Sequence, residues 1–322
     1  MILALIASGA SLFMAWTVGA DSASPSFGPV VSSRALGVLR SGLIVGVSAF
    51  LGALIQGGNV TRALGGGLVH VQFELIDSIL ILSIAAGMVT IGVRYHYPVP
   101  TAFTLVGAVL GAGMGAGGEV NLSHTIRLFS YWLLIPFLAG GIGYGLSHVL
   151  RQFGEEEEGY NSPQLSKSGT KVIRVILILL GIYTAYTAGA SQVGLAVGPL
   201  LGTVDLNLNW LLILGGLGML LGAWTGSPKI IGAVARDYAD IGPRRAVAVL
   251  AGTSLLAQIG VSMGTPISFN EAIIAALVGS GLSAEAGQIG VKKIRFTILG
   301  WLGTFVLAFG LSYLAEWLLS IL

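Results

Sequence analysis

The chain has 322 residues, of which 54% are apolar and 9% charged, with 49 glycines, 16 basic against 14 acidic residues, and no cysteine. An average soluble domain carries about a quarter charged residues, so this chain cannot clothe a water-facing surface, and it lacks the dense charge of disordered or nucleic-acid-binding chains. A mean hydropathy of +0.88 leaves a polytopic membrane protein, without disulfides, thiolate metal sites or thiol nucleophiles.

A crossing helix needs about 20 mostly apolar residues. In chain order the candidate runs are 2–18, 35–55, 75–93, 101–117, 127–150, 172–188, 209–225, 245–262, 272–284 and 296–321. The first run has no basic residue ahead of it and no cleavage pattern behind it, so it reads as a span rather than a signal peptide. Runs 101–117 and 272–284 are short and follow proline-containing turns, the trace that a transporter site leaves in a sequence. Between the fifth and sixth runs lies 151–171, where Glu155 to Glu158 precede Asn161-Ser162-Pro163. It reads as a solvated acidic linker.

The two sides of that linker match. Gly19-Ala20 and Gly28-Pro29 recur as Gly189-Ala190 and Gly198-Pro199, and Leu51-Gly52-Ala53 as Leu221-Gly222-Ala223, all at an offset of 170. Pro98-Val99 recurs as Pro266-Ile267 at 168, and Trp132, Gly141 and Tyr144 recur as Trp301, Gly310 and Tyr313 at 169. An ordered series with so constant an offset is an internal duplication. Its orientation follows from the basic residues, which collect in short cytoplasmic loops. With the N-terminus outside and all ten runs crossing, 14 basic residues are cytoplasmic and only Arg62 and Arg127 are outside. With the two short runs as re-entrant hairpins the split is 7 to 9. Ten crossings put five in each half, an odd number, so the second copy is inverted.

Polar groups inside hydrocarbon are costly and mark function. The first cluster, Gly19-Ala20-Asp21-Ser22-Ala23-Ser24-Pro25-Ser26, interrupts an apolar stretch that resumes to Val31, and Pro25 removes a backbone donor. Broken helices are therefore expected near 19–25 and at the repeat position 189–195, with Gly19, Pro25 and Gly189 at the breaks. The second cluster opens the short runs: Tyr97-Pro98-Val99-Pro100-Thr101, and Gly264 to Glu271 with Ser268, Asn270 and Glu271. A helix start presents unpaired N–H groups and partial positive charge, which suit phosphate or sulfate. His70, His96, His124 and His148 show no ligand spacing and read as interfacial. Gly65-Gly66-Gly67 lacks the residues of a nucleotide phosphate loop, and no nucleophile or zinc motif is visible.

These paired motifs resemble the PiT-type inorganic phosphate transporters, a family that also includes sulfate permeases. That family carries Gly-Ala-Asn-Asp-Val-Ala-Asn in the first span of each half, matched here by 19–25 and by Gly189-Ala190-Ser191-Gln192-Val193-Gly194-Leu195. Its Pro-x-Ser-Thr-Thr-His sets are matched by Pro98 to Phe103 and Pro266 to Glu271, and Trp132 and Trp301 lead the last span of each half. The family's paired Asp stands here as Ser22 and Gln192, and its Asn as Asp21 and Ser191; of the second pair of motifs, Thr101 and Ser268 keep their identity. In the family the first-span set is associated with sodium and the later set with the oxyanion.

The expectation is an all-α integral membrane protein of the cell membrane. It has two inverted repeats, 1–150 and 172–322, of at least five spans each, with short half-helices near the midplane. By resemblance it is a cation-coupled secondary transporter of inorganic phosphate, with sulfate or a related oxyanion as the alternative. A passive channel and an embedded hydrolase with Asp21 and Glu271 as acid and base rank below these. No catalytic residue, resident cofactor or nucleic-acid partner is expected; the lipid bilayer and a homodimer are the partners considered. Asp21, Ser22, Thr101, Ser191, Gln192, Ser268 and Asn270 are the candidate substrate ligands. Asp21, Ser24 and Glu271 are candidates for the coupling ion, H+ or Na+. Two family acids are missing and a carboxyl held out of water prefers its neutral form, which leans toward the proton. A cysteine placed in 151–171 should react only from the cytoplasmic side; reaction from outside would reverse the orientation.

Overall fold

The computed structural model describes residues 2–33, 35–64, 67–152, 169–238, 241–283 and 290–321. The acidic run of the expected linker lies outside the described residues. Twelve α-helices follow in order: α1 (Ile2–Val18), α2 (Gly28–Ser32), α3 (Val38–Leu64), α4 (Leu75–Tyr95), α5 (Thr101–Gly115), α6 (Leu122–Arg151), α7 (Gly169–Val197), α8 (Leu208–Thr225), α9 (Pro228–Arg236), α10 (Pro243–Ser262), α11 (Phe269–Leu282) and α12 (Val291–Leu319). Among the described residues, eight helical segments are long and apolar enough to cross a membrane, the first running through α1 and α2. The apolar helices α5 and α11 have 15 and 14 residues. At 1.5 Å per residue each spans about 20 Å, less than a hydrocarbon core of about 30 Å.

Apolar runs and helices agree closely, and the differences have local causes. α3 continues past its apolar run to Leu64 because its polar residues are satisfied within the bundle. Thr61 Oγ1 donates to Gly57 O at 2.8 Å, and Gln56 Oε1 accepts from Gln258 Nε2 at 3.2 Å. α11 begins at Phe269, ahead of its apolar run, since Asn270 and Glu271 are buried within the bundle. A short antiparallel ribbon, Val69–His70 (β1) with Glu119–Val120 (β2), closes the loops at the C-terminal end of α5.

The packing comes in pairs related by the sequence offset. α3 lies against α7 and α1 against α8; α5 lies against α12 and α11 against α6; α10 lies against α7 and α4 against α1. At the crossings the backbones touch. A Cβ on Gly52 would run into Tyr186 O, and one on Gly222 into Trp16 O; Gly19 and Gly189 face Met219 O and Ala49 O in the same way. Every one of these four contacts maps onto another at an offset of 170. Small residues at such crossings let dispersion and close backbone approach hold helices together where lipid provides no hydrophobic drive.

The expected break at 189–195 is corrected by this geometry. α7 is continuous helix through Val197, and its irregular turn comes only at Gly198–Leu200. No proline interrupts 189–195, so the helix keeps its donors, and Gly189 serves close packing on α3. The outer faces of α6 and α12, with Phe137, Leu133, Leu302 and Val306, stay exposed, apolar surface suited to lipid.

Replacing Gly222 by Val should destabilise the detergent-solubilised protein by about 1–3 kcal/mol, seen as a lower melting temperature. Gly9→Ala, where an added Cβ meets nothing within 4 Å inside α1, should hold the melting temperature or raise it slightly, since Ala is the better helix former.

Candidate functional site

The site begins where α1 loses its regular form. Gly19–Ala23 is a π turn and Ser24–Phe27 a 3-10 turn. Pro25 cannot donate to the carbonyl one turn back, so the turn widens, as π turns do at functional positions. Serine side chains bond backbone carbonyls around the turn: Ser24 Oγ donates to Gly19 O at 2.9 Å and Ser26 Oγ to Ala23 O at 2.5 Å. The break expected here is present. It turns Asp21 and Ser22 inward, both buried.

Two irregular segments lead into α5 and α11 from opposite halves of the chain, and each is pinned by a tryptophan of the other half. Trp301 Nε1 donates to Pro98 O at 2.9 Å, and Trp132 Nε1 to Pro266 O at 3.3 Å. Asp21 Oδ1 accepts from Val99 N at 3.1 Å, and Ser191 Oγ from Ile267 N at 3.3 Å, again equivalent positions in the two halves. The helix starts at Pro100 and Ser268 carry no side-chain cap. Their first-turn N–H groups have no acceptor within the helix and lend positive potential to the same region.

Between these ends the polar side chains form two neighbouring hydrogen-bonded sets, one through Asp21 and one through the adjacent Ser22. Asn270 Nδ2 donates to Asp21 Oδ2 and to Val99 O, both at 2.6 Å. Ser22 Oγ lies 2.7 Å from Thr101 Oγ1, which donates to Gln192 Oε1 at 3.0 Å, so the proton order is Ser22 to Thr101 to Gln192. Gln192 Nε2 then donates to Ile267 O. Ser268 Oγ and Asn270 Oδ1 are buried without a hydrogen-bond partner. Buried polar groups left unpaired cost about 1–3 kcal/mol each, so a ligand that bonded these two atoms would be favoured. The arrangement offers hydroxyls, an amide and two uncapped helix starts to an oxyanion, with a carboxylate beside them to take a proton.

Of the residues expected at the site, Asp21 bonds Asn270, Ser22 bonds Thr101 and Thr101 bonds Gln192, Ser191 and Gln192 both hold Ile267, and Ser268 stands at the start of α11 beside them. Ser24 is spent on its own turn. Glu271 is one residue from Asn270 yet points elsewhere, into a cleft lined by α6 and α12.

The sequence reading missed what covers the site. Gly226-Ser227-Pro228 ends α8 and starts α9, whereas the equivalent Gln56-Gly57-Gly58 continues α3 without interruption. α9 packs on α2, and Tyr238 behind it is fully buried, its hydroxyl 2.8 Å from Thr297 Oγ1. Lys293 straps this cover down. Its Nζ lies 3.6 Å from Asp237 Oδ2, donates to His96 O at 3.0 Å and sits 3.7 Å from the centre of the Tyr97 ring. A tyrosine in a charged loop gives no such signal in sequence. The opposite end, near β1, has instead a cavity of about 460 Å³ bordered by Leu68, Val69, Val109, Pro199 and Gly202.

A model of the phosphate transporter family matches residues 18–312. The chain belongs to that family. It is a multi-pass membrane transporter and not the embedded hydrolase considered above. Among its relatives, the sulfate permease CysP of Bacillus subtilis is 26% identical over 94% of this chain and 84% of its own length. A Pyrococcus furiosus protein named as a phosphate permease is 21% identical over 90% of each chain. A solved structure titled the sodium-dependent phosphate transporter superposes over 100% of both chains with a TM-score of 0.85 at 21% identity, so family and fold agree.

In this cysteine-free chain, Gly202→Cys should react with a membrane-impermeant maleimide from the β1 side, while Ser268→Cys should resist it from both sides. Adding Tyr238→Ala should expose Ser268→Cys from the Lys293 side. If Ser268→Cys still resists, Tyr238 does not close that path.

Proposed function

We propose that the chain moves inorganic phosphate across the cell membrane, driven by protons, by alternating access to the Asp21–Thr101–Gln192 site. One observation carries the reading. Two uncapped helix starts from the two halves converge on neighbouring buried sets of hydroxyl, amide and carboxyl groups. Helix N-termini bind tetrahedral oxyanions through N–H groups and dipole, and discontinuous helices near the midplane are the usual transporter arrangement.

The crosswise bonds of Trp132 and Trp301, of Asp21 and Ser191, and the glycine crossings repeat at offsets of 168 to 170. They support two repeats, 1–150 and 172–322, that exchange roles. In the ten-crossing reading the irregular segments before α5 and α11 complete the crossings begun by those short helices, which makes the repeats inverted. With the N-terminus outside, the Tyr238 cover is cytoplasmic and the β1 cavity extracellular. The described state is then closed inward, and release requires α9 and Tyr238 to swing clear of Lys293 and Thr297.

Phosphate still carries a proton near neutral pH, and Asp21 at the centre of the site can accept it. Sulfate has none to donate, so a carboxylate opposes it. The relation to a sulfate permease at 26% identity favours the second reading, sulfate, since the family's two acids are Ser22 and Gln192 here. In reconstituted vesicles, unlabelled phosphate should suppress labelled phosphate uptake at least as well as sulfate does; far stronger suppression by sulfate would reverse the assignment. The same two replacements remove the formal charges that a sodium ion would use, which supports the proton. A proton ionophore should abolish accumulation at fixed sodium. Accumulation that needs sodium and survives the ionophore would refute proton coupling. Thr101→Val breaks the chain of hydroxyls and should raise the half-saturating phosphate concentration about tenfold, a loss of about 1.4 kcal/mol.

A further inference from the structure

Glu271 occupies the position that Phe103 holds in the first half, at the offset of 168. There Phe103 stacks on Trp132 with ring centres 4.1 Å apart, and Phe129 and Phe305 fill the remaining space, Phe129 being 5.2 Å from Trp132 and 5.6 Å from Phe305. The counterparts of these three phenylalanines in the second half are Glu271, Ile298 and Pro136. The smaller side chains leave a cleft of about 530 Å³ between α6 and α12, floored by α11. It opens between Phe137, Leu282 and Ile298, exposed apolar side chains suited to lipid.

Glu271 is 4% exposed, and its Oε2 is buried without a hydrogen-bond partner. The rest of the cleft lining is nearly all apolar. On α12 it includes the Thr297 hydroxyl, already engaged by Tyr238. Among the described residues, α6 adds Tyr144, the one other titratable group in the lining, and α10 adds none. Among these same residues the donor beside the Glu271 carboxyl is the Ser268 hydroxyl, and no cation lines the cleft. A buried charge without a paired cation is costly, so these surroundings suit the neutral acid. We propose that Glu271 is a separate proton site, reached laterally through this cleft, and that it carries the coupling proton while the Asp21 set holds the oxyanion. The proposal rests on proton coupling. Geometry also links the two sites: Asn270, next to Glu271, holds Asp21, and Thr297 at the cleft wall holds the Tyr238 cover.

Dicyclohexylcarbodiimide, which enters through lipid and reacts with protonated carboxyls, is the probe. The carboxyl oxygen adds to the central carbon as its proton moves to nitrogen, and the acylisourea rearranges to a stable N-acylurea, so nothing leaves. The full chain in liposomes is treated, and adducts are mapped by mass spectrometry, with a water-soluble carbodiimide alongside. The lipid-soluble reagent should modify Glu271, less as pH rises, and the water-soluble one should not. Glu271→Gln should remove the adduct and cut proton-driven accumulation about tenfold or more, while exchange of labelled for unlabelled phosphate continues. Ile298→Phe, which refills the cleft with Glu271 intact, should suppress labelling several-fold. No adduct on Glu271 in the unaltered chain, or full accumulation by Glu271→Gln, overturns the proposal. Accumulation by the unaltered chain that ignores the proton gradient overturns the underlying coupling reading instead, and it is measured before any variant.

Discussion

A carboxyl group in the middle of a lipid-embedded bundle must find its hydrogen bonds inside the protein, and Asp21 finds them in both halves of the chain. One oxygen takes the Val99 amide of its own half and the other takes Asn270 of the opposite half. Most of the architecture can be understood as serving those two contacts. The wide turn that Pro25 imposes aims Asp21 inward, glycine crossings bring α8 and α3 close enough, and the tryptophan bonds fix the lead-in segments of α5 and α11. Without the crossed segments Asp21 would be an unpaired buried polar group, and such groups are among the most destabilising features a membrane protein can contain.

The two halves share a plan and differ where chemistry requires it. Asp21 faces Ser191 in the exchange, Ser22 faces Gln192, and Glu271 faces Phe103. A symmetric site would bind a symmetric ligand equally from either side. These replacements put one carboxyl in each half at non-equivalent positions, Asp21 in the first and Glu271 in the second, so an anion and a proton can occupy distinct places. The covers differ too: α3 continues as one helix where α8 breaks and folds α9 over the site. That inequality makes the two ends of the bundle structurally different in the described state.

Much of this was legible in the sequence because the signals were physical. Apolar runs located the helices, Pro25 located the first break, and the short runs behind Pro98 and Pro266 located the helix starts that form the site. The second break was misplaced because repeat analogy carried a feature of Gly19 to Gly189, where the proline that causes it is absent. Glu271 was grouped with Asp21 from its neighbourhood in sequence, yet adjacent residues on a helix point about 100° apart, which sends Asn270 to Asp21 and Glu271 to the cleft. Tyr238 left no trace because its burial depends on α9 folding back, a tertiary event.

The location of the bound oxyanion is the most direct test of the account. An experimental structure of the chain with phosphate should show density within hydrogen-bonding distance of the first-turn amides of α5 and α11 and of the Thr101 hydroxyl, with the Ser22–Thr101–Gln192 bonds rearranged around it. Phosphate bound only in the cavity beside β1, with the Asp21 set unchanged, would contradict it.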